Sequence, residues 1–328
     1  MPISPARPIA VYYEHPAWFA PLFAELDRRG VPYVPLRADT HHFDPSAPVP
    51  YSLVFNRMSP SAYLRGHGHA IFYTLAYLAH LRRQGVRVIN GYDAFQVEIS
   101  KADQLALLAS LGLPYPAARV FHRAADASDA ASGLRFPVVV KPNIGGSGAG
   151  VRLFPTPEAL AAAAGEATLD LGLDSTALVQ EFIPAQEGRI VRVEVLGGSY
   201  LYGIRIYTPG DSFDLCPADV CQHVDGTALD ASRCAVDAPA RGLRVESHAP
   251  PEQIRRQVEQ ILAAAGIEIG GVEYLVDARD GQRYFYDVNA LSNFVADAPT
   301  VVGFDPFARL ADYLIAEAEA AGAGQRVA

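Results

Sequence analysis

The sequence predicts a mixed α/β (α+β) protein, with a parallel, helix-connected sheet first and antiparallel hairpins last. Three observations carry this expectation. Short apolar strands alternate with helical segments through the first third. A strand ending in lysine runs straight into a glycine-rich loop, "FPVVVKPNIGGSGAGV" (136–151). Two strand pairs in the last half are each split by turn residues.

Taken in order, "IAVYYE" (9–14), "VPYVPL" (31–36), "YSLVFNR" (51–57) and "VRVIN" (86–90) read as strands. Between them, "WFAPLFAELDRRG" (18–30) and "AIFYTLAYLAHLRRQG" (70–85) have helical spacing and close on an arginine pair and a glycine. "SKADQLALLASLGLP" (100–114) is a helix with a capping pattern in Ser100 and Asp103; Leu105, Leu108 and Leu111 line one face, and Gly112 and Pro114 stop it. "TPEALAAAAGEA" (156–167) is a helix capped by Thr156, and "TALVQEFIP" (176–184) a strand. "RIVRVEVLGGSYLYGIRIYT" (189–208) is a hairpin turning at Gly197, Gly198 and Ser199. After a helix at 250–266, "GGVEYLVDARDGQRYFYDVNALSNF" (270–294) is a second hairpin turning at Asp280 and Gly281, and a helix over 304–322 closes the chain.

The chain has 328 residues, half of them hydrophobic, which suits two or three domains. Its 27 basic and 36 acidic residues give a net charge of −9, which argues against nucleic acid and anionic membrane as partners. Local groups must therefore hold any anionic ligand. The N-terminal stretch lacks the pattern of a signal peptide, and no apolar run reaches the ~20 residues of a membrane helix. Three cysteines, Cys216, Cys221 and Cys234, are expected to be reduced thiols in a cytoplasmic protein. "CPADVCQH" (216–223) sets two of them near His223, but zinc sites close with four ligands at tighter spacings, so loop thiols are expected there.

The glycine loop fits neither familiar phosphate-binding pattern. A P-loop places its lysine after the glycines, and a dinucleotide loop opens a helix. Here Lys141 precedes the glycines and a strand-like "VRLF" follows them. Such a loop can cover phosphates and donate main-chain N–H groups, with Lys141 as a point charge, or it can be a plain hairpin with a solvated lysine. Lys101 sits in the first turn of its helix, against the helix dipole. In the second hairpin Asp287 and Asn289 share one strand face and Glu273 lies on the partner strand; either a hard cation neutralises the two carboxylates or these are polar residues on a solvent-facing edge, and Asp277 is a weaker fourth. Arg192 and Arg205 on the first hairpin either meet an acyl phosphate or substrate carboxylate, or pair with neighbouring acids.

Together these segments resemble the ATP-grasp superfamily, and within it the RimK-type and glutathione-synthetase-like carboxylate–amine ligases. "SKADQLALLASLGLPYP" is similar to the helix that brings a lysine to the nucleotide, "VVVKPNIGGSGAGV" to the lysine strand and mobile lid, "LVQEFIP" to the adenine hinge, and "GVEYLV…YFYDVNALSNF" to the paired magnesium ligands. The resemblance implies three domains: an N-terminal parallel α/β domain (1–97), a small lid domain with the Gly loop (98–183) and a C-terminal β-rich domain with the metal site (184–328). It implies ATP as co-substrate, held by Lys101, Lys141 and the loop residues Gly145, Gly146, Ser147, Gly148 and Gly150. Glu181, Phe182 and Ile183 would meet the base and Glu187 the ribose. Mg²⁺, with Mn²⁺ as a substitute, would lie on Glu273, Asp287 and Asn289.

The implied activity is an ATP-dependent ligase that makes an acyl phosphate and joins it to an amine, an amino acid or small peptide, releasing ADP and phosphate. A small-molecule kinase acting on a hydroxyl, or a non-catalytic nucleotide-binding regulator, are the alternatives. A homo-oligomer is compatible with it. The chain departs from the RimK-type pattern at "ALSNF" after Asn289, at Ile190 and in "GDSFDLCPADVCQ", and "FNRMSPS" in the first domain offers Arg57 and Ser59 as candidate substrate groups.

Overall fold

The computed structural model describes residues 7–15, 17–146, 148–207, 222–223 and 244–324. The first sheet is parallel and runs in the order β2-β1-β3-β4, from β1 (Ile9–Tyr13), β2 (Tyr33–Arg37), β3 (Leu53–Arg57) and β4 (Val88–Ile89). Side-chain alternation along β1 explains why helices cover both faces. Ile9 and Val11 pack with Leu22 and Leu26 of α1 (Ala20–Arg29), while Ala10 and Tyr12 pack with Ile71 and Leu78 of α2 (Gly68–Arg83). The strands end together at one edge of this unit, so Glu14, Ser59 and their neighbours sit where open α/β sheets present ligand-facing loops.

Two helices follow, α3 (Tyr92–Glu98) and α4 (Lys101–Ser110). The second sheet is antiparallel, in the order β5-β8-β6-β7. It comprises β5 (Ala118–Phe121), β6 (Val138–Pro142), β7 (Arg152–Phe154) and β8 (Ala177–Glu181), and packs on α5 (Ala127–Ala130) and α6 (Pro157–Gly165) through Val138, Val140, Leu160 and Val179. Thr156 caps α6 by accepting from the Ala159 N–H.

The third sheet is mixed, in the order β11-β12-β10-β9-β13-β14. Its strands are β9 (Arg189–Leu196), β10 (Ser199–Tyr207), β11 (Gln222–His223), β12 (Arg244–Ser247), β13 (Ile269–Val276) and β14 (Arg283–Asn289). On β9, Val191, Val193 and Val195 face Ile254, Val258 and Ile261 of α7 (Glu252–Ala264), which turns Ile190, Arg192 and Glu194 to the opposite side. The chain closes with α8 (Ala298–Val302) and α9 (Pro306–Gly324), the latter packed on α1 of the first unit.

Two features differ from the expected organisation. Although α4 lies within residues 98–183, its Leu108 shares a core with α7 and the third sheet, not with the lid sheet. The strand β12 completes the third sheet beyond the two expected hairpins. Ser147, Cys216, Cys221, Cys234 and the side chain of His223 lie outside the described residues. No helix among the described residues is long and apolar enough to cross a membrane.

Candidate functional site

A cavity of about 440 Å³ lies between the three sheets, within the range of small-molecule sites. Local sequence explains how two lysines reach it. Ser100 caps α4 by accepting from the Asp103 N–H, and the first turn is stitched to the loop after β6: Lys101 N–H donates to the Asn143 carbonyl (3.2 Å) and Ala102 N–H to Asn143 Oδ1 (2.9 Å). Because Asn143 follows Lys141 by two residues, the one asparagine fixes both lysines against each other. Gln104, one turn on, donates to the Val288 carbonyl (2.8 Å) and accepts from the Val288 N–H (3.2 Å), so α4 is also pinned to β14.

On β14, Asp287 stands in register with Glu273 of β13, and Asn289 with Gly271. A β-bulge after the Glu273–Asp287 pair lets consecutive Tyr286 and Asp287 both line the cavity. Lys101 Nζ donates to Asp287 Oδ1 at 2.5 Å and Asn289 Nδ2 to Asp287 Oδ2 at 3.0 Å. Glu273 accepts from Arg192 (2.9 Å) and from the Tyr286 hydroxyl (2.8 Å), and Arg192 also donates to Glu194 (2.6 Å). Gly271 makes room for this pair: a Cβ there would stand 2.9 Å from Glu194 Oε2 and 3.0 Å from the Arg192 guanidinium.

Burial and pairing set the charges. Burial raises Glu273, and the nearby Asp287 carboxylate adds to this against the opposing Arg192. Burial also disfavours ionised Asp287, but Lys101 outweighs it and holds the carboxyl below its ordinary value. For Lys101 burial is likewise outweighed by Asp287, and its ammonium lies above the usual lysine value. Among the described residues Lys141 has no such counter-ion at hydrogen-bond distance; burial first, and the Lys101 charge second, push it down to about 7.

Glu273, Asp287 and Asn289 form an all-oxygen set of two carboxylates and one carboxamide on neighbouring strands, which suits a hard divalent cation whose shell is completed by phosphate oxygens. Among the described residues no group of three or more His, Cys, Asp or Glu is placed to hold a metal, and the oxygen set here has two carboxylates and the Asn289 carboxamide.

At the other end of the cavity, Glu181, Phe182 and Ile183 line the wall. The Glu181 N–H donates to the Ala117 carbonyl and the Phe182 N–H to the Pro137 carbonyl, and the Glu181 side chain accepts from the Arg135 N–H. Gln180, which sequence reasoning did not single out, is buried there with its Oε1 unpartnered among the described residues. An orphaned acceptor beside an apolar slot fits the exocyclic amino group of a purine.

Gly145, Gly146 and Gly148 also line the cavity. Gly150 does not; its φ of +74° and the 2.8 Å that would separate a Cβ from Pro142 make it the turn of the loop. The remaining expected residues fall elsewhere. Glu187 is exposed and pairs with Arg189, Arg205 pairs with Glu246 at 3.0 Å, and Asp277 is held by Arg279. Ser59 lines the cavity, whereas Arg57 is buried behind it and donates to the Ser292 and Ala290 carbonyls. Asn143, Gln104 and Glu194 carried no motif of their own in the sequence.

Residues 99–213 match the family model of the RimK-like ATP-grasp domain. The likeness of this stretch is to the ATP-grasp superfamily. Among curated relatives is the D-alanine–D-alanine ligase of Citrifermentans bemidjiense, 30% identical over 203 residues, which are 62% of this chain and 59% of the relative. The chain thus spans under two thirds of the length of that relative. Solved structures with the ATP-grasp fold align along almost the whole chain. The ATP-grasp ligase PsnB, complexed with a phosphomimetic variant of its minimal precursor, Mg and ADP, gives a TM-score of 0.66 at 18% identity, covering 94% of this chain and 98% of that one. A RimK domain ATP-grasp protein from Sphaerobacter thermophilus gives 0.65 at 20% identity, covering 93% and 98%. At such identities the likeness is one of fold.

Proposed function

We propose that the chain is an ATP-dependent carboxylate–amine ligase, with residues 98–183 and 184–328 clasping the nucleotide and residues 1–97 contributing to the substrate end. The observation that carries this is the convergence of Lys101, Lys141, Asp287, Asn289 and Glu273, from three separate segments, in one cavity. Further support comes from the orphaned Gln180 acceptor at the cavity's opposite end and from relatives named as ligases.

In this reading Gln180 receives the adenine amino group, and Lys101 and Lys141 hold the phosphates. The carboxylate oxygen of the first substrate attacks the terminal phosphorus, the bond to the ADP oxygen breaks, and an acyl phosphate forms. The amine then attacks the acyl carbon, inorganic phosphate leaves with its electron pair, and the amine gives up a proton. Mg²⁺ held by Glu273, Asp287, Asn289 and phosphate oxygens would supply charge neutralisation for the transfer. Arg192 donates to Glu273, opposes the effect of burial on its carboxyl and holds it at the cavity, and itself lines the wall where acyl phosphate charge develops. The relatives named for D-alanine and for a minimal precursor favour an amino acid or a short peptide as substrate.

The test is ADP release by the purified protein with Mg·ATP against pools of amino acids and small carboxylates. Release that requires a carboxylate and an amine together supports the ligase. Release with a hydroxyl compound alone, yielding a stable phosphate ester, overturns it in favour of a kinase.

A further inference from the structure

Four large hydrophobic side chains are exposed among the described residues, and three of them, Leu64 (52%), Phe72 (44%) and Leu173 (41%), gather at the start of α2. Leu173, from the loop before β8, lies against Gly68: a Cβ there would stand 3.3 Å from both Leu173 methyl carbons. Phe72 is one helical turn beyond Gly68 on the same face. Helical side chains lean toward the N-terminus, so its ring extends toward the same bare spot. Leu64 lies in the turn Pro60–Arg65 that leads into the helix. A cluster of this kind on a surface marks a contact with another macromolecule.

The rest of α2 says which. Ile71, Thr74, Leu78 and Leu81 are buried in the core of the first unit. The opposite side carries His69, Phe72, Ala76, Ala79 and Arg83, spaced by three and four residues as in the seam between two packed helices. One bulky ring with alanines one and two turns on supplies a knob and a hole on the same face.

The two ends of that face are oppositely charged. Arg83 is exposed in the last turn; its neighbour Arg82 is paired with Asp93, whereas Arg83 has no ion pair among the described residues. At the other end stands exposed Asp170, in the same loop as Leu173, whose Oδ1 accepts from the Gly172 N–H at 2.8 Å and which has no ion pair among the described residues. It lies near Tyr63, whose hydroxyl is raised by burial first and by the Asp170 charge second, and Tyr63 in turn flanks Gly68. The 16 residues of α2 span about 24 Å, so Asp170 and Arg83 do not meet within one chain. A two-fold axis between Phe72 and Ala76 makes them meet between two chains. A foreign partner would require no such match between the two ends of one face.

We propose that a second copy of this chain docks on this face, in an isologous dimer with α2 antiparallel to its counterpart, Phe72 seated over Ala76 and Arg83 paired with Asp170. One helix pair rimmed by Leu64 and Leu173 is a small interface, so monomer and dimer exchange in the micromolar range. The loop that the second copy grips also backs the Gly-rich loop: a Cβ on Gly172 would stand 2.9 Å from Pro142, and one on Gly150 3.0 Å from Asp170 Oδ2. Neither contact depends on the reaction that the cavity performs.

Sedimentation velocity of the purified full chain from about 1 to about 200 μM tests this. The wild type is expected to pass from monomer to dimer across that range, and Phe72→Glu to stay monomeric. Asp170→Arg and Arg83→Asp should each raise the dimer dissociation constant about tenfold or more, because each change acts twice across the axis. The double variant should return to within about threefold of wild type. All three positions are exposed, and circular dichroism checks that the variants are folded. A wild type that stays monomeric throughout would give the face to a foreign partner and overturns the proposal. A dimer indifferent to Phe72→Glu, or a double variant no tighter than the single ones, overturns it as well.

Discussion

Lys101 Nζ lies 2.5 Å from Asp287 Oδ1, joining the first turn of α4 to the cavity face of β14. The pair gives each member its charge: the ammonium is held up and the carboxyl held down against burial. It also brings a phosphate-binding candidate and a metal-binding candidate to one point. Asp287→Ala or Asn289→Ala is expected to lower ADP release by about 10²–10³-fold, because charge developing on the transferred phosphoryl group loses its counter-charge. Measured with saturating Mg·ATP, undiminished turnover in both variants would remove the metal assignment.

Lys141 predicts a proton effect on nucleotide binding. Its depressed value of about 7 means that the folded chain binds fewer protons than the unfolded one between about pH 7 and the ordinary lysine range, so its contribution to stability rises with pH across that window. Bound phosphates reverse the preference and favour the ammonium. Calorimetric titration of ATP at about pH 8.5, in buffers of different ionisation enthalpy, should therefore show proton uptake, and Lys141→Met should abolish it. Uptake that persists in Lys141→Met would assign the proton to another group.

Arg57 is buried, with its pKa lowered to about 9 by burial despite the nearby Glu98 and Glu194 carboxylates. It spans from β3 to the loop after Asn289, so its loss leaves two carbonyls without their donor and takes a nearby positive charge from the buried Glu98 and Glu194. Arg57→Leu should lower the free energy of unfolding by about 3–5 kcal/mol in urea titration. Arg57→Lys should recover little, since an ammonium does not reproduce the guanidinium fork. A loss under about 1 kcal/mol in both variants would show that the arginine is not the strut between these segments.

Gln180 offers an orphaned acceptor, among the described residues, at the apolar end of the cavity. Gln180→Leu should raise the KM for ATP about tenfold, the cost of one buried hydrogen bond, and narrow the preference for ATP over GTP. An unchanged ratio of the two nucleotides would place the base elsewhere.

Much of this was legible in sequence because it rests on short-range signals. Alternation on β14 put Asp287 and Asn289 on one face, the Asp280–Gly281 turn returned the chain to Glu273, and Ser100 marked the start of α4. Residues whose role depends on distant partners gave no such signal. Asn143 links two lysines that lie 40 residues apart in the chain, Gln104 bonds to a strand 184 residues away, and Arg57 meets a loop 235 residues on. Arg205 sits on the expected hairpin and Glu187 in the turn before it, but each lies beside an opposite charge that local pattern does not reveal. α4 likewise has an apolar face whose partner, the third sheet, lies far along the chain.

The central claim is that the cavity makes an acyl phosphate. Once the carboxylate that supports ADP release is known, it can be supplied with oxygen-18 in its carboxyl group, together with Mg·ATP and the amine. The ligase account predicts that one labelled oxygen passes into the inorganic phosphate for each amide formed. Unlabelled phosphate, or label retained entirely in the organic product, would contradict it.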